Sequence, residues 1–507
     1  MTIKTNRVPF EEALNMTGFS RYNLYTFMLS ASIIIGMTFE IFSVSYLVPA
    51  SACELNTSST QQGLVACVPL IGTIAMSHIW GYLADTRGRR TILIVSMTIT
   101  YIAGTLAAFS PNWIVLGFLK LLSSASVSGS YALAVTLLSE CTPMARRSSL
   151  VLLTTTVHLA SMGIMAVIAI PVLPLPFSYH IPFLDIQFNS WRVLDLIFAV
   201  PSALSIIGSY FAYESPKYLV SVGRDEDALA VLRGIYTMNT GKSADNYKVD
   251  ALELDEEQSS ALHKGFWGSI VAQTMPMIKP PLLKHTILLS FLFAITYITM
   301  NAFFVWLPFI VNAFMTSVVA GQKDLTICEM IRLTHSLNST STSTIQAQDC
   351  SMNTEAMTLV FGITMFLAVG NLFMSSIINC VGRKRLVIGI QMIAGTSALL
   401  LNFSPYWILS AIMFMVFLSA IFNFGFMNTY SVDVFPTYVK AMAVCLTLMV
   451  GRGSAVIGIN VLKQLLDNNC EAAFYIYGSI AFGGGIVAFL LPSDEKIQAQ
   501  KKVLNTK

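Results

Sequence analysis

The sequence is poor in charge. Asp, Glu, Lys and Arg together make up 11% of its 507 residues, against about 25% in a typical soluble domain. Apolar residues account for 55%. A chain with so few charges presents a surface suited to lipid rather than water, so a soluble protein is excluded. The formal net charge of +3 gives no indication of a nucleic-acid partner.

The sequence also lacks the short motifs of common enzymes. It contains no phosphate-binding P-loop, no H-E-x-x-H zinc motif and no paired C-x-x-C. We therefore expect no enzymatic activity, no ATP-driven transport, no metal and no cofactor. A coupling proton is the one bound species that the sequence leaves open.

Long apolar stretches recur along nearly the whole chain. A helix needs about 20 apolar residues to cross the hydrocarbon core of a bilayer. The predicted fold is therefore an all-α membrane protein of twelve transmembrane helices in two six-helix bundles. The stretches lie near residues 25–48, 63–84, 91–109, 113–138, 148–171, 193–213, 285–311, 356–378, 386–403, 406–430, 441–462 and 471–491.

The distribution of Lys and Arg sets the orientation. Of the 30 such residues, 24 fall in the two termini and in the loops on the same side, which are predicted to be cytoplasmic because basic loops stay inside. The predicted parts are a cytoplasmic N-terminus (1–24), an N-terminal bundle (25–213), a cytoplasmic linker with short helices (214–284), a C-terminal bundle (285–491, outer loop 312–355) and a cytoplasmic tail (492–507).

The two bundles are internal repeats. Ser110-Pro111-Asn112-Trp113-Ile114 returns as Ser404-Pro405-Tyr406-Trp407-Ile408, and Gly88 returns as Gly382, both shifted by 294 residues. Each repeat holds six spans in the same orientation, so the repeat axis runs along the membrane normal. A substrate site is then expected near the bilayer midplane, between the halves.

The first cytoplasmic hairpin carries a G-x-x-x-D-x-x-G-R-R pattern, formed by Gly81, Asp85, Gly88, Arg89 and Arg90. It resembles the signature of the major facilitator superfamily. Gly81 is expected to allow close helix approach, Gly88 to turn the chain, and Asp85 with Arg89 to form a cytoplasmic latch. The second copy keeps Gly382 and Arg383 but has Ser375 and Asn379 where the Gly and Asp would be.

Other cytoplasmic positions narrow the resemblance. Glu140-x-x-Pro143-x-x-Arg146-Arg147, Glu214-Ser215-Pro216-Lys217 and the outer Ser190-Trp191-Arg192 resemble the sugar and organic-ion porter branch, and within it the synaptic vesicle glycoprotein 2 and organic cation transporter-like proteins. In the second half Asp433 and Lys440 complete the predicted gating set. The resemblance implies alternating-access transport of a small organic solute, a cation or zwitterion. We expect a monomer, in the plasma membrane or a secretory or synaptic-type vesicle.

Ionisable residues inside the spans are candidates for function because a charge in the bilayer is costly. Glu40 in the first span and Lys120 in the fourth lie at comparable depth, which predicts an ion pair. Glu40 either takes up a proton or balances a cationic substrate, or it only neutralises Lys120. His158 and Arg452 differ by 294 residues and so occupy equivalent repeat positions. His158 either relays protons or packs between helices. Arg452 either serves transport or is a buried pairing partner for a carbonyl or carboxylate.

Aromatic side chains are candidates for the cavity wall because their rings attract organic cations. Trp306 is the first choice, and Tyr297, Phe422 and Tyr430 follow. In the predicted outer segments, Cys328 with Cys350 is the favoured disulfide. Asn56 and Asn338 are predicted glycosylation sites, since each begins an N-x-S/T sequence.

Two rival functions remain open. A neutral sugar is the first, although the seventh span has isolated Asn residues rather than the run of Gln and Asn found in sugar porters. The second is a membrane protein that keeps the fold without transporting, of the vesicle glycoprotein type. The intact first hairpin motif and the short outer loop favour transport over that role.

Overall fold

The computed structural model describes residues 7–253, 275–280, 282–322, 324–340, 353–435 and 440–493. Within these ranges, twelve helices are long and apolar enough to cross a membrane, which confirms the predicted architecture. We number them as spans 1 to 12: Arg21–Ser51, Ser59–Arg87, Arg89–Ala107, Trp113–Glu140, Leu153–Val172, Ser190–Phe211, Leu283–Val319, Thr354–Ile378, Arg383–Phe403, Trp407–Ser431, Ala443–Asn468 and Cys470–Ala488.

The two bundles meet along a few spans. Span 2 packs on span 11, span 5 on span 8, and span 1 on span 7. The first two pairs are equivalent under the repeat, because span 2 corresponds to span 8 and span 5 to span 11. Close contacts lie toward the outer side: Gly63 and Cys67 meet Asn460, and Gly163 meets Thr364. Glycine at 63 and 163 leaves room that a Cβ would fill.

Spans 1 and 4 are each made of two helical pieces. Span 1 comprises Arg21–Phe42 and Val44–Ser51, separated at Ser43, whose hydroxyl donates to the carbonyl of Glu40 at 3.1 Å. Such a side-chain bond to the backbone offers an alternative to the helical pattern. Span 4 comprises Trp113–Val127 and Ser130–Glu140.

The chain turns at equivalent glycines in the two halves, between spans 2 and 3 and between spans 8 and 9. Gly88 has φ +97° and Gly382 has φ +88°, a backbone region that favours glycine. A Cβ at Gly88 would also collide with the Glu214 carboxylate. The predicted turning role of Gly88 therefore follows from its backbone conformation.

Short elements form a module after span 6, called the cytoplasmic module here after its predicted side of the membrane. Helices Pro216–Ser221 and Asp225–Thr240 pack with the N-terminal helix Phe10–Met16. Strand Arg7–Pro9 pairs in parallel with strand Ala251–Glu253, so the start of the chain joins the linker. Short 3-10 helices lie at Ala244–Asn246 and Met275–Ile278.

The outer face of the N-terminal bundle is closed by a buried arginine. A β-hairpin, Ser178–Ile181 with Ile186–Asn189, leads into span 6. Arg192 follows it and is fully buried, with its guanidinium 2.6 Å from Glu54 and donating to the carbonyls of Ala108 and Ser110. Asn56 is exposed in the neighbouring loop, as a glycan acceptor must be.

The predicted pairing of Cys328 with Cys350 is wrong. Cys328, in the outer helix Ile327–Thr340, forms a disulfide with Cys470 at the start of span 12, with their Cα atoms 5.5 Å apart. Arg332 of the same helix pairs with Glu471, so this helix packs on span 12. Cys53 is also disulfide-bonded. Cys350 and the side chain of Asn338 lie outside the described residues.

We expect the change of Cys328 or Cys470 to serine to lower the thermal unfolding temperature. The disulfide closes a loop across a sequence separation of 142 residues, and such bonds typically contribute about 2–4 kcal/mol. Thermal unfolding in detergent measures the loss, and mass spectrometry of non-reduced peptides identifies the bond. Cys380→Ser, which removes an exposed free thiol, is the control and leaves the temperature unchanged. A peptide joining Cys328 to Cys350 would contradict the assignment.

Candidate functional site

A buried cluster of three charges lies inside the N-terminal bundle. The ammonium of Lys120 is 2.6 Å from a carboxylate oxygen of Asp195 and 3.6 Å from one of Glu40. All three side chains are at most 2% exposed. The Ser123 hydroxyl donates to Glu40 at 2.8 Å, and Gly104 packs against the same carboxylate. The structure thus contains the predicted pair of Glu40 with Lys120 and adds Asp195 to it.

Asp195 was not among the residues singled out from the sequence, although a signal was present. It lies five residues into span 6, and Lys120 lies seven residues into span 4, so both have similar depth from the outer end. The same depth argument that joined Glu40 to Lys120 applies to it. One oxygen of Asp195 has no hydrogen-bond partner in the described part of the chain.

The cluster faces the interior of its own bundle. Its members come from spans 1, 4 and 6, and the adjoining Gly104 comes from span 3. Two carboxylates surround one ammonium, so the cluster carries one excess negative charge when fully ionised. The oxygens of Glu40 contact Lys120 and Ser123 of the same bundle.

A small cavity lies between the halves. It is mostly apolar, with contributions from the outer parts of spans 1 and 5 and from spans 7 and 8. Ser45, Tyr46 and Thr364 are its hydroxyl-bearing residues. The full lining is Phe42, Ser45, Tyr46, Met162, Met165, Phe304, Leu307, Pro308, Val360 and Thr364.

His158 stands beside this cavity. Its Nδ1 is 2.8 Å from the hydroxyl of Thr38 on span 1. The rings of Phe42 and Tyr131 flank it, with centroids at 6.5 and 6.1 Å. Phe42 also lines the cavity, as does Met162 one helical turn further along span 5. The imidazole is therefore a polar group at the edge of the space between the bundles.

Arg452 lies in the middle of span 11. Its guanidinium lies near the hydroxyl of Tyr297 on span 7, whose ring packs against Gly451. In the described part of the chain, no carboxylate forms an ion pair with Arg452. Arg452 is thus a cation within the membrane whose described partner is a neutral phenol.

None of the four predicted aromatic candidates lines this cavity, and Tyr297 packs against Gly451 instead. Trp306 is fully buried within its own bundle and donates to the carbonyl of Ile459 at 3.0 Å. Phe422 packs against Gly370, again inside the C-terminal bundle. Tyr430 is buried under the guanidinium of Arg383, 5.0 Å from its ring centroid. The residues of span 7 that line the cavity are Phe304, Leu307 and Pro308.

The cytoplasmic motif residues of the first half assemble into a network. Arg89 is 3.2 Å from both Asp85 and Glu140. Glu140 in turn accepts a hydrogen bond from the Ser215 hydroxyl, and Glu214 accepts one from the backbone N–H of Arg90 at 3.0 Å. The predicted latch of Asp85 with Arg89 is therefore present, with Glu140 as a second acceptor.

Two expectations for these motifs change. No described atom lies within 4 Å of the position a Cβ would take at Gly81, so the close helix approach expected there is absent. Arg146 places its guanidinium over the ring of Phe19 rather than in the network. In the second half, the side chains of Ser375, Asn379, Asp433 and Lys440 lie outside the described residues.

Comparison with known proteins identifies the family. The profile described as sugar (and other) transporter matches residues 19–321, which is more than half of the chain. This chain belongs to that family. The transporter is 27% identical over 309 residues to organic cation/carnitine transporter 7 of Arabidopsis thaliana, covering 57% of this chain and 59% of the relative. It is 26% identical over 245 residues to synaptic vesicle glycoprotein 2B of Mus musculus, covering 45% and 34%.

A solved structure shares the fold. The inward-open conformation of the xylose transporter XylE from E. coli superimposes with a TM-score of 0.68 at 15% identity, covering 94% of this chain and 100% of that one. The resemblance to the major facilitator superfamily and its vesicle glycoprotein and organic cation branch is thereby confirmed. The transporter matches about a third to three fifths of the length of these relatives. It is a multi-pass membrane protein of this family.

We expect Lys120→Met to destabilise the transporter strongly. It removes the ammonium and leaves Glu40 and Asp195 buried together, and breaking a buried ion pair costs roughly 3–5 kcal/mol. Thermal unfolding in detergent measures the loss. Adding Asp195→Asn to Lys120→Met is expected to restore part of the stability, because one charge is then removed.

The control is Lys242→Met, an exposed position in the cytoplasmic module that is expected to change nothing. An unfolding temperature for Lys120→Met equal to that of the wild type would show that the cluster does not stabilise the bundle. The same conclusion would follow if the double variant Lys120→Met, Asp195→Asn were no more stable than Lys120→Met alone.

Proposed function

We propose that this protein is an alternating-access secondary transporter of a small zwitterionic organic solute. The observation that carries the proposal is Arg452, a charged side chain in the middle of span 11 with no carboxylate partner in the described part of the chain. The anionic end of the solute binds Arg452 and the Tyr297 hydroxyl. Its cationic end lies against the opposite bundle.

The cost of a membrane charge supports this assignment. An arginine within a bundle is ordinarily paired, or lines a water-filled path. A guanidinium binds carboxylates in a bidentate manner, and such charge-assisted hydrogen bonds are stronger than neutral ones. A solute carboxylate supplies the missing counter-charge. A solute that is only cationic would be repelled by Arg452, so the zwitterion is preferred within the cation and zwitterion class.

The repeat supports a site shared by the two halves. His158 and Arg452 are separated by 294 residues and occupy equivalent positions on spans 5 and 11. A residue pair related by the repeat axis faces that axis from opposite sides, which is where parallel-repeat transporters bind their substrates. The bundles contact each other toward the outer side, at Asn460 and Thr364. Rocking about such contacts exposes the site alternately to the two sides.

A coupling proton is assigned to the buried cluster. Glu40 and Asp195 share one ammonium, so a proton taken up by either carboxylate removes the excess charge. Span 1 connects the cluster to His158, because it carries both Glu40 and Thr38, whose hydroxyl contacts the His158 ring. Protonation of the cluster therefore acts on the packing of span 1 rather than on the solute directly.

The relatives support a charged organic solute. The name of the Arabidopsis protein gives organic cation and carnitine as its substrates. The xylose transporter favours the sugar alternative, yet an uncharged solute leaves Arg452 without a counter-charge. A non-transporting role in a vesicle membrane, by analogy with synaptic vesicle glycoprotein 2B, is the second alternative. We assign the working unit to a monomer, in the plasma membrane or a secretory-type vesicle.

Uptake by proteoliposomes tests the proposal. Purified protein is reconstituted and offered radiolabelled amino acids and betaines, organic cations, organic anions and sugars, with and without an inward proton gradient. We expect uptake of zwitterions, accelerated by the gradient. Arg452→Gln is expected to reduce it at least tenfold through loss of affinity, because a hydrogen bond to a charged group is worth about 1.5–3 kcal/mol.

Arg224→Gln is the matched control, since Arg224 is exposed in the cytoplasmic module and pairs with Asp227. It should transport like the wild type. Zwitterion uptake unchanged in Arg452→Gln would reject the anion site. Uptake of sugars alone would favour the sugar porter, and no uptake of any class by folded protein would favour the non-transporting role.

A further inference from the structure

The hydrogen bonds around Thr38 fix the position of the proton on His158. The Thr38 hydroxyl oxygen is 2.7 Å from the carbonyl oxygen of Ile34 and 2.8 Å from Nδ1 of His158. A hydroxyl has one hydrogen to donate, and a carbonyl oxygen only accepts. The hydroxyl therefore donates to Ile34 and accepts from His158, so Nδ1 carries the hydrogen of the neutral imidazole.

This tautomer leaves Nε2 as a hydrogen-bond acceptor. A neutral imidazole has one donor and one acceptor nitrogen. Among the described residues none donates to Nε2, and the His158 side chain is only partly buried. The acceptor nitrogen is therefore open to a donor that comes from outside the protein.

The surroundings of the imidazole favour a positive donor. The rings of Phe42 and Tyr131 flank it, with centroids within 6.5 Å. Aromatic faces attract ammonium groups, and more strongly where water is excluded. Phe42 and Met162 place this group at the edge of the cavity between the bundles. An ammonium there gains both the Nε2 acceptor and the aromatic faces.

We propose that His158, Phe42 and Tyr131 form a subsite for an ammonium group that carries at least one N–H. A protonated primary or secondary amine donates to Nε2. A quaternary ammonium has no hydrogen to donate and leaves Nε2 unsatisfied, so it binds more weakly. The inference rests on the proposed transport function, since the ammonium is the cationic end of the solute whose anionic end binds Arg452.

Matched pairs of probes test the subsite. Each pair consists of a zwitterionic amine and its trimethylated form: glycine with glycine betaine, β-alanine with its betaine, and 4-aminobutyrate with its betaine. Uptake and thermal stabilisation are measured with reconstituted and purified full-length protein. We expect at least one amine to be preferred over its trimethylated form by about tenfold or more. The ratio within a pair cancels effects on folding and on reconstitution.

Three variants separate the subsite from general packing. His158→Phe keeps a flat ring and removes Nε2, so the ratio should fall to about one. Thr38→Val removes the acceptor for Nδ1–H and should lower the ratio, whereas Thr38→Ser should restore it. Thr98→Val is the control: its hydroxyl donates to Ile94 at 2.7 Å in the same manner, but on span 3 and away from His158. It should leave the ratio unchanged.

The outcomes distinguish the inference from the function beneath it. Uptake of trimethylated probes equal to or faster than that of every amine would overturn the subsite and leave zwitterion transport standing. An unchanged preference in folded His158→Phe would also overturn it. Sugars transported without any amine would reject both the subsite and the zwitterion, and absence of all uptake would reject transport itself.

Discussion

The N-terminal bundle depends on the ammonium of Lys120 held between two carboxylates. In a nearly uncharged core, a single lysine is costly unless it is paired, and two carboxylates alone would repel each other. With Asp195 at 2.6 Å and Glu40 at 3.6 Å, the three side chains join spans 1, 4 and 6. Sliding one of these spans against the others would separate the buried charges, so the cluster holds the three spans at matching depth.

This cluster also determines which residues remain for the solute. Because Glu40 is occupied within its own bundle, the groups left facing the other bundle are of a different kind. Under the proposed function, Arg452 supplies hydrogen-bond donors to the solute and His158 supplies an acceptor. The hydroxyls of Tyr297 and Thr38 lie beside them. The two positions correspond through the internal repeat but differ in charge, which would give the proposed site its polarity.

Much of the fold could be predicted from the sequence because membrane helices have a simple physical signature. Length and hydropathy predicted the twelve spans, and equal depth predicted Glu40 beside Lys120. Facing was harder. Span 7 is buried on nearly every side, so its sequence carries no apolar stripe to show that Phe304 and Leu307, rather than Trp306, reach the cavity. The partner of Cys328 depended on how an outer helix folds back on span 12, which no local pattern encodes.

The parallel pairing of Arg7–Pro9 with Ala251–Glu253 has a consequence for the chain as a whole. These two strands lie before and after the N-terminal bundle, so the two ends of residues 7–253 are hydrogen-bonded to each other. We call residues 7–253 the N-terminal unit. The C-terminal unit follows it along the chain. Each unit can then complete its own tertiary structure during synthesis, and the ribosome can finish the first before the second has entered the bilayer.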